Sequence, residues 1–156
     1  MSTEQDADEL VNRLRIAIGK ISRAMDRQIA SGAMTRTQSN VLGTIIRRGQ
    51  MRLGDLAELE NINPTMLSRV VAKLDAAGYI RRMPDPADLR AVLIEATDEG
   101  VAAHALARAQ RTALLGARLV ELPEPDDSRL RAALPALEHL GDAMLRRGTP
   151  VVPEVR

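Results

Sequence analysis

Two short helical patterns separated by three residues constrain this chain more than any other feature. Gly54 to Glu60 places Leu56, Ala57 and Leu59 on one inward side. After Asn61, Ile62 and Asn63, Pro64 opens a second pattern. There Leu67, Val70, Val71 and Leu74 fall at i, i+3, i+4 and i+7, the stripe of an amphipathic helix. Proline at the first helical position gives up a donor that has no intrahelical partner anyway, and Asn63 before it is a good N-cap. Asn61 stands where the turn needs a left-handed backbone, which Asn tolerates. Gly78 closes the second helix, expected over 64–77. Helices joined this tightly make a helix-turn-helix, with Ala57 at the close crossing and Ile62, Leu67 and Val70 as its apolar clasp.

The other side of the second helix presents Thr65, Met66, Ser68, Arg69, Ala72 and Lys73. These types can reach base edges and phosphates in a major groove. Asn63 and Pro64 at the helix's leading end, and Arg52 just before the first helix, join them as candidate DNA-binding residues. Next come two short β runs, YIRRM (79–83) and AVLIE (91–95), linked by PDPADLR. They read as a hairpin with a long polar tip, a wing spanning 79–95. Arg81, Arg82 and Arg90 surround that tip, where an arginine can enter a narrow minor groove; a pairing of Arg90 with Asp85 or Asp88 would instead stiffen it.

Charge supports an anionic partner only locally. The formal net charge is +1, but residues 36–90 hold nine Lys or Arg against six Asp or Glu. Tyr79 is the one aromatic residue, so Leu, Ala, Val, Ile and Met must build the core, which suits packed helices. The absence of cysteine removes disulfides, thiol catalysis and thiol-based redox sensing. The polar, acidic start, MSTEQDADEL, is not a signal peptide, and no apolar run nears the ~20 residues that span a bilayer. A cytoplasmic protein without membrane association is expected. His104 and His139 are isolated and no nucleophile–base pair or phosphate loop is present, so neither an enzyme, a metal site nor a cofactor is expected.

Around the helix-turn-helix lie longer helical patterns. Leu10, Leu14, Ile18, Ile21, Met25 and Ile29 form one stripe, ended by Ser31-Gly32. Thr35 or Thr37 can cap a helix carrying Val41, Leu42, Ile45 and Ile46, which stops near Gly49. Residues 51–53 are too few to assign alone. Thr97 caps a helix running to about Val120, LPEPDDS (122–128) breaks the chain, and a last helix spans roughly 127–147, with Pro135 expected to kink or interrupt it. The division expected is a helical dimerisation region (1–31 and 120–147), a winged domain (35–100), a linking helix (98–120) and a flexible tail (148–156). Leu10, Leu14, Leu115, Leu119, Leu130, Leu134, Leu137, Leu140 and Met144 exceed what a small winged core can cover, and they imply a homodimer. Such a pair would present two reading helices one DNA turn apart, roughly 34–36 Å.

The segments LGDLAELENINPTMLSRVVAKLDAAGYIRR and DPADLRAVLIEATDEG resemble the MarR family of winged-helix transcription factors. The second is similar to the family's wing signature at Asp88, Arg90, Ile94, Thr97 and Gly100, and the order of elements agrees over about residues 8–147. The resemblance implies a mainly α fold with a small β-hairpin wing, a triangular dimer built from the terminal helices, and a regulator of transcription, most often a repressor, that binds palindromic double-stranded DNA. It also implies a small-molecule effector pocket between the dimer helices and the winged domain, here near Ile18, Met25, Val41, Ile45 and His104. Leu89 stands where members often carry the first of two arginines, which leaves minor-groove contact to Arg90, with Arg81 or Arg82 on the backbone. From another class, a dimeric winged module that binds protein instead of DNA fits the near-neutral charge and the acidic Asp55, Glu58 and Glu60.

Overall fold

The computed structural model describes residues 2–29 and 34–146; the expected helix stop at Ser31-Gly32 and the expected tail from Gly148 lie outside the described residues. The chain forms two units, one up to Leu115 and one from Gly116. The architecture is mainly helical with a small antiparallel sheet, as the sequence implies.

In the first unit, helix α1 (Ser2–Ile29) starts well before the stripe that begins at Leu10. Its early turns are polar, with Asp6, Asp8 and Glu9 exposed there. Helix α2 (Arg36–Arg48) settles its cap on Thr35. The Thr35 hydroxyl accepts from the Gln38 amide at 3.2 Å while the Gln38 side chain accepts from the Thr35 amide at 2.9 Å, a reciprocal capping box. Gly49 ends it with φ +77°.

Residues 51 and 52 form a two-residue strand, β1, that only its partner reveals. Strands β2 (Ile80–Asp85) and β3 (Asp88–Ala96) form the wing, and β3 lies centrally between β1 and β2. Met51 pairs with Ile94 on one side, and Arg82 pairs with Ile94 on the other. The long polar tip expected between 83 and 91 is corrected here: both strands run into it, Asp85 pairs with Asp88, and only Pro86 and Ala87 turn the chain. The Asp85 carboxylate makes this possible by accepting the Ala87 amide at 2.8 Å, a side-chain mimic of a backbone turn.

Helices α3 (Leu53–Glu60) and α4 (Pro64–Ala76) pack with α2 and the sheet around Leu42, Ile45, Leu56, Leu67, Leu74 and Ile94, all buried. Leu59, expected inward, is instead 50% exposed, because the short α3 turns Leu53, Leu56 and Ala57 to the core. Helix α5 (Asp98–Val120) is anchored where α4 meets β2. The Thr97 hydroxyl donates to the Gly78 carbonyl at 2.6 Å and accepts from the Gly100 amide at 3.0 Å. A Cβ on Gly100 would fall 2.0 Å from the Tyr79 carbonyl oxygen, so only glycine fits there. Farther along, Arg111 donates to the Ser39 hydroxyl at 3.1 Å and the Met34 carbonyl at 3.0 Å, tying α5 to α2.

In the second unit, α6 (Asp126–Arg146) is a single helix through Pro135; the expected interruption does not occur. Pro135 removes one amide donor, and its exposed position leaves the Arg131 carbonyl to water.

Candidate nucleic-acid interface

The tight turn before α4 is built from backbone. Asn61 takes φ 48° and ψ 43°, the left-handed conformation, so the Ile62 amide can donate to the Ala57 carbonyl at 3.2 Å. The Asn63 side chain then accepts from the Thr65 amide at 2.9 Å, capping α4 ahead of Pro64. At the far end, Tyr79 donates to the Leu74 carbonyl and Gly78 to the Asp75 carbonyl, each at 2.9 Å, around a positive φ at Gly78. This is the paired closure that a left-handed glycine permits.

Held at both ends, α4 buries Leu67, Val70, Val71 and Leu74 and turns Thr65, Met66, Ser68, Arg69, Ala72 and Lys73 outward. Every residue of the expected outward face is exposed. Among the described residues, neither Arg69 nor Lys73 is within ion-pair distance of a carboxylate. The face offers two hydroxyls, a guanidinium, an ammonium and a thioether on one rigid rod.

The cations of the sheet are arranged differently. Arg81 pairs with Glu95 across the hairpin at 3.0 Å, and Arg82 pairs with Asp75 of α4 at 2.7 Å. Arg52 reaches from β1 to the buried Asp85 at 2.6 Å. The Ala87 amide, followed by the Arg52 guanidinium, holds the Asp85 carboxyl below the usual carboxylate range. Arg52 in turn is raised, chiefly by its hydrogen bond to Asp85. So Arg52, Arg81 and Arg82 have partners in their own chain, and each keeps an exposed edge. Asp88 pairs with Asp85 in the ladder. Arg90 lies on β3, its side chain outside the described ones. Asp85 organises this arrangement by accepting from both Arg52 and the Ala87 amide; the sequence offers it only as an alternative partner for Arg90, and its place between two prolines is the available signal.

The residues expected to line an effector pocket differ in exposure. Val41 and Ile45 are fully buried in the core, because α2 turns that side to α4 and the sheet. Ile18 is exposed and Met25 is half-buried on α1. His104 does border an open groove of about 550 Å³, together with Ile46, Val101, Arg108 and Thr112. Burial first, then Arg47, Arg108 and Arg111, holds the His104 imidazole below its ordinary value, favouring the neutral ring. Arg108 and Thr112 were missed because a helix's groove side depends on what packs beside it.

Most of the leucines expected to need a partner are in water. Leu10, Leu115, Leu130, Leu134, Leu140 and Met144 are exposed, and Leu14, Leu119 and Leu137 are half-buried. Among the described residues no group of His, Cys, Asp or Glu could hold a metal ion, and no helix is long and apolar enough to cross a membrane.

Comparison with known proteins matches this geometry. The MarR family model matches residues 34–92, from the start of α2 into the wing. An uncharacterized HTH-type transcriptional regulator of Mycobacterium bovis is 32% identical over 129 residues, 82% of this chain and 90% of its own. A putative transcriptional regulator from Pseudomonas aeruginosa superimposes with a TM-score of 0.74 at 27% identity, covering 90% of this chain and 99% of that one. A mutant of E. coli MarR complexed with operator DNA gives 0.61 at 20% identity, over 86% and 97% of the chains. The protein belongs to the MarR family of HTH-type transcriptional regulators.

Proposed function

We propose that the protein is a homodimeric repressor that reads a palindromic operator with α4 in the major groove and the wing at the minor groove, and that releases it on binding a small molecule. The observation that carries this reading is the outer face of α4: its polar side chains are exposed and its two cations unpaired, while its inner face is locked in the core. Such a face meets base edges without rearrangement. Asn63 and Pro64 set the angle at which its first turn arrives. Arg69 would take a guanine edge, Lys73 a phosphate, and Thr65 and Ser68 either. The wing would contribute Arg90 at the minor groove, with Asp88 beside it and Arg52, Arg81 and Arg82 presenting their exposed edges to the backbone. The E. coli MarR mutant that shares this fold is complexed with operator DNA.

The dimer would be made by α1, the end of α5 and α6, whose exposed leucines have no cover in one chain. The helical regions 1–31 and 120–147 would then be the dimerisation part, 35–100 the reading part, and 98–120 the link. The effector would be taken at the groove beside His104, where apolar walls meet Arg108 and Thr112, chemistry suited to a small apolar molecule with an anionic or hydrogen-bonding end.

A binding titration on operator DNA selected from genomic fragments tests the core of this. The log of affinity should fall steeply with log salt concentration. Arg69→Ala should weaken operator binding by about 1–3 kcal/mol and relax base preference. A salt-independent response, or no affinity for duplexes with intact dimers, would favour the winged module that binds protein.

A further inference from the structure

The outer face of α4 contains one side chain that its polar neighbours do not explain. Met66 sits in the first turn and is 51% exposed. Leu67, Val70, Val71 and Leu74 already fill the buried side of α4, so Met66 has no core place to take. Ala72 and Ala76 are also apolar and exposed, but they are too short to reach beyond the helix surface. Met66 leads a row with Arg69 and Lys73, at i, i+3 and i+7, so these three lie along one line of the helix. It stands at the N-terminal end, the part of a reading helix that meets base edges.

A major groove offers one apolar feature, the 5-methyl group of thymine. A long, unbranched, polarisable side chain is suited to reach and cover it. We infer that Met66 is a specificity-determining residue that selects thymine by packing its thioether against the 5-methyl group, one or two base steps from the guanine taken by Arg69. The inference rests on the reading of α4 as the groove-entering helix. It adds the base that this helix demands and the atom by which it is recognised.

The test uses the full-length protein and a duplex selected by it from a randomised pool. Each thymine of a half-site is replaced in turn by deoxyuridine, which lacks only the methyl group. At one position the replacement should weaken binding roughly fourfold per half-site, the worth of one buried methyl. Met66→Ala should bind the thymine and deoxyuridine duplexes equally, whereas Met66→Leu should keep most of the preference. Met66→Gln, similar in length but polar, should lose it. These substitutions are at an exposed position, and circular dichroism checks that each variant is folded.

Three results would overturn the assignment: selected half-sites with no invariant thymine, no deoxyuridine penalty at any position, or a penalty that survives in Met66→Ala. If the protein retained no duplex at all, the reading of α4 itself would fail, and Met66 with it. Tight binding without a methyl effect would leave α4 in the groove and remove only Met66.

Discussion

The core around α4 and the helix α6 are similarly rich in leucine, yet water treats them differently. Leu42, Leu56, Leu67 and Leu74 are buried almost completely in one core cluster. On α6, Leu134 is 51% exposed and Leu145 86%. Burying a leucine side chain is worth roughly 1.5–3 kcal/mol. One region has collected that stabilisation within a single chain, and the other has left it available. Apolar periodicity therefore marks what will be covered, without saying by which chain. The same contrast separates the cations: Arg52, Arg81 and Arg82 of the sheet are paired with carboxylates, while among the described residues Arg69 and Lys73 on α4 are not. Unspent apolar surface on α6 and unspent charge on α4 are the two features that the proposed function uses.

The largest effect should come from the closed region. Leu42→Ala should cost about 2–5 kcal/mol in denaturant unfolding, since neighbours on three elements cannot collapse into the space. A loss below about 1 kcal/mol would mean that the core is looser than its burial indicates.

The open region should respond through association. Leu134→Glu combined with Leu140→Glu should convert a dimer into a monomer in sedimentation equilibrium at micromolar concentration, with far-UV circular dichroism of the winged core retained. A wild-type protein that sediments as a monomer would break the comparison, by showing α6 content in water.

A smaller, local effect belongs to the cap of α2. Thr35→Ala removes one half of the reciprocal hydrogen bonds with Gln38 and should cost about 1 kcal/mol, read by thermal or chemical unfolding. Gln38→Ala made in addition should cost little more, because the two bonds act together.

The smallest effect is a slope. His104 is held below its ordinary value of 6.5 by burial and by Arg47, Arg108 and Arg111, so the unfolded chain takes up its proton first. Stability should be fully present above the unfolded value and should decline as pH falls from about 6.5 toward the lower folded value. His104→Gln should flatten that decline. An unchanged slope would place the pH dependence elsewhere.

Much of the fold was legible because its signals are local. Asn61, the Asn63-Pro64 pair and Gly78 each name a backbone geometry, and the structure realises all of them. The outward face of α4 followed from the same period, since whatever is not in the stripe must point away. Where partners decide, legibility fell. β1 is two residues long and exists only because β3 lies beside it. The wing tip reads as long and polar because Pro and Asp usually mark loops, whereas here Asp85 turns inward to hold both the Ala87 amide and Arg52. Val41 and Ile45 carried no mark distinguishing a core wall from a pocket wall, and Leu59 none showing that α3 is too short to bury it.

From residue order alone came the helical periods, the caps, the turn and the family, because each depends on atoms within a few positions of one another. Folding in three dimensions decided which arginines are paired and which are open. It decided that the tip is a ladder, and that the terminal leucines remain in water within one chain. Those outcomes depend on which distant surfaces meet, and a charge or a methyl group carries no record in the sequence of the neighbour that will finally cover it.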